Sequence, residues 1–184
     1  MKVQLDKFNN ISLKAVVVAA LFGGFFVVAS ANSDVSTKSV ASKKTLQDGP
    51  SQEFRGTISG DLLDISPKEG EVVTAEVKHF KTTGENPYRN DSEAIKKGYT
   101  IFSTACSGCH GHLAEGKLGP ALADEYWTYP KNETDKGLFE TIYGGAAGMM
   151  GPQRGLLTVD EILHVIAWVR HQGEENAKGG QVSH

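Results

Sequence analysis

The sequence predicts an all-α domain of three to four helices preceded by an extended N-terminal arm. Three observations carry this. Apolar residues recur at helical spacing in three segments of the C-terminal half. Two of these segments open on a capping signal. The segment before them alternates apolar and polar residues between turn signals and is too poor in large apolar groups to fold alone.

The first helix is expected to begin near Asp91. Asn90 and Glu93 have the spacing of a capping box, and Ile95, Tyr99 and Phe102 follow on one face. A second helix fits Thr134 to Tyr143, with Leu138, Phe139 and Ile142 inward and Gly144-Gly145 as its stop. The third is the clearest. Thr158 and Glu161 form a capping box, and Ile162, Val165, Ile166 and Val169 mark a buried stripe. Arg170 and His171 lie in the last turn, where the helix dipole favours cations, and Gly173 is expected to end it. Gly98, Tyr99 and Trp168 suggest a close crossing of the first and last helices. Eleven glycines fall between Gly98 and Gly155, so these helices have too little apolar surface to hold the domain together unaided. Something besides side chains must fill the core.

Residues 1–31 have the arrangement of a secretory signal. Lys2, Lys7 and Lys14 precede an uncharged run, Ala15 to Ala31, which closes on Ala29-Ser30-Ala31. Cleavage is expected after Ala31. Residues 32–50, rich in Ser, Thr, Lys and Ala, read as a flexible leader. Residues 51–90 read as an arm that wraps the compact domain at 91–173. Phe54 to Ile58 and Val72 to Phe80 are its strand-like stretches, and 174–184 is expected to be a disordered tail. Removing residues 1–31 takes away three Lys and one Asp, which moves the net charge from −3 to −5. An acidic chain is a poor phosphate binder, so no nucleic-acid partner is expected. A partner that docks by charge should present a basic face.

Both cysteines fall in Cys106-Ser107-Gly108-Cys109-His110, the C-x-x-C-H attachment motif for c-type haem. Two intervening residues let one short turn present both sulfurs to the porphyrin vinyl groups. His110 then lies under the iron as proximal ligand. A thioredoxin-type pair would need a surrounding βαβ pattern, and a zinc site would need more ligands at suitable spacing. A disulfide would leave the glycine-rich domain without a core.

The sixth ligand decides the chemistry, since a second protein ligand makes a carrier and an open position a gas binder or an enzyme. Beyond Met1, the only methionines are Met149 and Met150, in the loop between the second and third helices. A thioether suits low-spin haem and raises its potential. Adjacent loop residues point in different directions, so one of the two can bind, and Met150 is favoured. His112 lies too close to His110 to reach the other face. His79, His164 and His171 are expected on the surface or in packing. Pro120 is expected to orient His110 through its carbonyl. Trp127, with Tyr126 and Tyr129, forms an aromatic cluster expected at the haem edge, its indole N–H donating to a propionate or its ring simply packing there.

These features resemble the class I cytochromes c, over Asp91 to Gly173. A narrower resemblance, over Phe54 to Gly173, is to cytochrome c-L. It rests on Cys106-Ser107-Gly108-Cys109-His110-Gly111-His112, Ala114 to Pro120, Tyr126-Trp127-Thr128-Tyr129-Pro130 and Gly144 to Pro152. In the arm it adds Leu63 to Gly70 and Thr83 to Tyr88. The resemblance implies a periplasmic, monomeric electron carrier with one haem c and no enzymatic activity. It implies a PQQ-dependent methanol dehydrogenase as electron donor and a downstream c-type cytochrome as acceptor. It also implies Met150, before Gly151-Pro152, as the ligand. A generic class I carrier for another dehydrogenase or oxidase, and a haem-based small-ligand sensor, are the competing readings.

Overall fold

The computed structural model describes residues 52–179. The expected signal segment and the whole of the leader therefore lie outside the described residues. Five α-helices follow in order: α1 (Ala75–Thr83), α2 (Ser92–Ala105), α3 (Ser107–His110), α4 (Asp135–Gly144) and α5 (Val159–Ala177). Short 3-10 turns sit at Pro130–Glu133 and Gln153–Gly155. Among the described residues the only β pairing is an isolated antiparallel bridge between Arg55 and Leu62. The all-α expectation holds.

The most extensive helix contact joins α2 and α5. It rests on the expected glycine crossing. A Cβ on Gly98 would lie 2.0 Å from the His164 carbonyl oxygen and 3.0 Å from Trp168 Cβ, so only a bare Cα admits this approach. Trp168 then packs against Phe102 and Tyr99, with ring centroids 4.3 and 5.3 Å apart. Phe102 is fully buried, whereas Tyr99 is 42% exposed and lies at the rim of the stripe.

Helix α5 opens on the expected capping box. Thr158 Oγ1 accepts from the Glu161 amide, and Glu161 Oε2 accepts from the Thr158 amide at 2.8 Å. Thr158→Ala should destabilise the protein by about 1 kcal/mol. A denaturant midpoint unchanged from wild type would show that this cap contributes nothing.

Three details depart from expectation. Helix α2 is capped by Asp91, not Asn90: Asp91 Oδ1 accepts from the Glu93 and Ala94 amides, both at 2.9 Å. The adjacent acidic side chain also suits the positive helix end. Helix α5 does not stop at Gly173 but continues to Ala177. Its last turn is tied down by Asn176 Nδ2, which donates to the Ala123 carbonyl at 2.9 Å. Within the arm, Val72 to Phe80 is not extended. Thr74 Oγ1 caps Val77, and Val77 and Phe80 turn one helical face inward from α1. Tertiary burial of that i, i+3 pair overrides the β-branched run.

The arm is built into the core. Phe54, Phe80 and Phe139 form a triangle with centroids 4.9 to 5.5 Å apart, joining arm, α1 and α4. Such pairs contribute about 0.5–1.5 kcal/mol each beyond their burial. Around Asp160 a second link forms, where its Oδ1 accepts from Tyr88 Oη at 2.8 Å and Thr74 Oγ1 at 3.1 Å. Thus 52–90 shares one hydrophobic core with the rest of the described chain.

Candidate haem site

Cys106 is the N-cap residue of α3 and Cys109 lies within it, so both thiols sit on one helical turn. Cys109 and His110 both donate backbone N–H bonds to the Cys106 carbonyl, at 3.1 and 3.0 Å. Both thiols are free. Burial, and then the neighbouring Cys109, push the unlinked Cys106 thiol up to about 11. A redox pair of the thioredoxin type needs the opposite shift, toward thiolate.

His110 is buried, at 7% exposure. Its Nδ1 lies 2.9 Å from the Pro120 carbonyl oxygen. A carbonyl only accepts, so the bond places the proton on Nδ1 and leaves a lone pair on Nε2. The loop returning to Pro120 is shaped for this. Leu118 and Gly119 donate to the Cys109 carbonyl at 3.0 and 2.8 Å, and Gly116 donates to the His110 carbonyl at 2.8 Å. A Cβ on Gly119 would stand 2.8 Å from His110 Cε1, so Gly119 is what lets the backbone lie flat against the imidazole.

The two methionines separate as expected for neighbours in a loop. Met149 is 84% exposed. Met150 is partly buried against the core and lines a cavity of about 580 Å³. The arm residues Ile58, Leu62 and Leu63 line the same cavity. The loop is held by the Ala146 amide, which donates to the Met150 carbonyl at 2.9 Å, and by the Ala147 amide, which donates to Tyr129 Oη at 3.1 Å.

Tyr126, Trp127 and Tyr129 face different partners. Tyr126 is exposed, Tyr129 meets the Met loop, and Trp127 packs against the core. The Arg170 guanidinium lies 5.0 Å from the Trp127 ring centroid. Arg170 was expected to serve the helix dipole. Instead it is largely buried, with Nε donating to Asp135 Oδ1 at 3.1 Å and a second N–H donating to the Asn132 carbonyl at 2.6 Å. A residue missed by sequence reading is Glu140, a buried carboxylate on α4, because the Arg55 amide it accepts from lies 85 positions away in the chain. His164 is a packing residue, stacked on Tyr88 at 4.2 Å with Nδ1 bonded to the Asp160 carbonyl. His112 is exposed.

The donor set fits a haem: two thiols on one turn, and an oriented imidazole with a free Nε2. The Cys106, Cys109 and His110 spacing is that of covalent haem c attachment, and two cysteines allow one such group. Among the described residues, no cluster of three or more His, Cys, Asp or Glu could hold a separate metal ion.

A family model described as cytochrome C oxidase, cbb3-type, subunit III matches residues 93–169. The cbb3-type cytochrome c oxidase subunit CcoP of Azospirillum brasilense is 33% identical over 72 residues, covering 24% of that protein. Cytochrome c-L of Methylorubrum extorquens is 60% identical over 119 residues, a stretch longer than 93–169. It covers 64% of this chain, which spans 60% of that protein's length. Two crystal structures are similar. Cytochrome cL of the marine methylotroph Methylophaga aminisulfidivorans is 56% identical with a TM-score of 0.64, covering 71% of this chain and 93% of that one. Cytochrome cL of Hyphomicrobium denitrificans is 54% identical with a TM-score of 0.63, covering 66% and 74%. With the attachment turn, the locked imidazole and an identity above one half across nearly all of a solved relative, the chain belongs to the cytochrome c-L family of class I c-type cytochromes.

Proposed function

We propose that this protein is a periplasmic electron carrier with one haem c. It accepts electrons one at a time from a PQQ-dependent methanol dehydrogenase and passes them to a downstream c-type cytochrome serving an oxidase. The observation that carries the reading is the pairing of an imidazole locked by the Pro120 carbonyl with an inward Met150 beside an outward Met149. The haem, when bound, supplies a one-electron ferric–ferrous couple.

The protein's own residues hold that couple ready. Cys106 and Cys109 would hold the haem covalently, and His110 Nε2 and the Met150 thioether would ligate its iron. Pro120 orients His110 and raises its basicity by accepting its N–H. Trp127, which lies under the Arg170 guanidinium, would flank the bound haem. Ligands held this rigidly move little between oxidation states, which keeps transfer fast. The carrier performs no bond chemistry on a substrate. Support for the periplasm comes from the secretory pattern of residues 1–31 and from the family. Among the described residues no helix is long and apolar enough to cross a membrane. The protein acts as a monomer, meeting its partners through small transient interfaces.

Reduction of the purified holoprotein by methanol and methanol dehydrogenase tests the partner. Absence of reduction, with reduction by another dehydrogenase, would move the protein to a generic carrier. An acidic carrier should also dock by charge. Stopped-flow reduction should therefore slow as salt rises and the Debye length falls from about 10 Å at 0.1 M to about 3 Å at 1 M. A rate independent of salt would remove charge steering from the encounter.

A further inference from the structure

We propose that Glu140 is a positioning residue for the Met150 loop, acting through the N-terminal arm. The proposal rests on the reading of Met150 as an axial ligand. It starts from a mismatch. The loop that carries Met150 contains Gly145, Gly148 and Gly151, and glycine restricts a backbone least. The Ala146 amide to the Met150 carbonyl and the Ala147 amide to Tyr129 Oη close the loop on itself and on Tyr129, and the remaining restraint must come from other elements packed against it.

The arm supplies it. Residues 54–63 form a small hairpin, closed by the Gly56 amide to the Asp61 carbonyl at 2.9 Å and the Leu63 amide to the Phe54 carbonyl at 2.8 Å. Its Leu63 side chain and the Gly56 Cα stand 3.3 and 3.4 Å from where a Gly144 Cβ would project, at the root of the Met loop. Ile58, Leu62 and Leu63 then line the same cavity as Gly145, Met150 and Pro152.

Glu140 clamps this hairpin to α4. Its Oε1 accepts from the Arg55 amide at 2.8 Å and from Lys136 Nζ at 2.7 Å, and its Oε2 meets Lys131 Nζ at 2.5 Å. Lys131 also donates to the Arg55 carbonyl at 3.3 Å. A carboxylate and an ammonium thus occupy both backbone groups of Arg55, the role a neighbouring strand would play. Glu140 is only 3% exposed. Burial favours its neutral form, but Lys131, Lys136 and the Arg55 amide outweigh it and hold the carboxyl below its ordinary value. Buried ion pairs add little stability over an apolar replacement, so what such a cluster contributes is a fixed geometry. Two further tethers run along the same face: Thr57 to Thr141 at 2.7 Å, and Tyr143 Oη donating to the Asp64 carbonyl at 2.6 Å.

The test compares holoproteins carrying Glu140→Gln, Tyr143→Phe and the control Tyr88→Phe. Tyr88 anchors the arm to Asp160 at the start of α5 instead, and does not line the cavity that Met150 lines. Exogenous imidazole is titrated into the ferric protein, and CO uptake is followed in the ferrous one. Both ligands need the Met side open, so their apparent affinity reports the open fraction. Glu140→Gln and Tyr143→Phe should bind imidazole about fivefold or more tightly and take up CO faster. Tyr88→Phe should lower thermal stability without moving either readout. Should Glu140→Gln fail to accumulate, Tyr143→Phe decides. Unchanged imidazole affinity in the loop-side variants, or an equal rise in Tyr88→Phe, overturns the positioning role while leaving Met150 a ligand. A wild-type ferric protein without the near-infrared sulfur-to-iron band overturns the ligand assignment itself, and the positioning role with it.

Discussion

Met150→Ala should abolish the near-infrared sulfur-to-iron band, open the iron to CO and lower the reduction potential, whereas Met149→Ala should leave all three unchanged. The two residues are chemically identical and adjacent, so the contrast isolates position. Met149 is exposed to solvent, and truncating an exposed side chain generally changes stability by no more than about 0.5 kcal/mol. Met150 packs on the core and faces the cavity that the arm and loop share. Axial ligation tunes haem potentials across about 0.8 V, and thioether ligation lies toward the high end. Losing it should therefore shift the midpoint downward by a readily measured fraction of that range. The covalent attachment through Cys106 and Cys109 should persist, so the variant remains coloured and comparable. Loss of the band in Met149→Ala, with retention in Met150→Ala, would exchange the two assignments.

The second large effect is on stability. Gly98→Ala places a methyl 2.0 Å from the His164 carbonyl oxygen and 2.7 Å from its carbonyl carbon. Neither atom is the movable end of a side chain; both are backbone of α5. Relief requires α2 and α5 to separate, which also loosens Phe102 and Tyr99 against Trp168. Overpacking commonly costs about 1–3 kcal/mol, and a backbone clash at the main helix interface should reach the top of that range or exceed it. The melting temperature should fall by about 10 °C or more. Gly155→Ala is the control, because a Cβ there meets nothing within 4 Å. A Gly98→Ala melting temperature equal to that of wild type would mean that the two helices cross differently in solution.

Much of this was legible because the deciding interactions are local. The spacing of Cys106, Cys109 and His110 is a property of one turn, and Thr158 with Glu161 needs only three residues of separation. The α5 stripe positions Ile162, Val165, Ile166 and Val169 are all buried, as are the residues between them. Legibility failed where a distant partner arbitrates. Asp91 and Asn90 are equivalent N-cap candidates, and the backbone path into α2 chose between them. Val72 to Phe80 has the composition of a strand. Its conformation was settled by the Thr74 cap and by the pocket that receives Phe80 beside Phe54 and Phe139.

The sequence by itself determined the cofactor chemistry, since two thiols and an imidazole at that spacing suit covalent haem, and it determined the helical class through periodicity and caps. Only the tertiary structure decided which methionine turns inward, how the Pro120 carbonyl meets His110, and that Glu140 ties the arm to α4. The physical reason is range. Spacing and capping act within a few residues, whereas the carboxylate of Glu140 meets the Arg55 amide across 85 positions of chain.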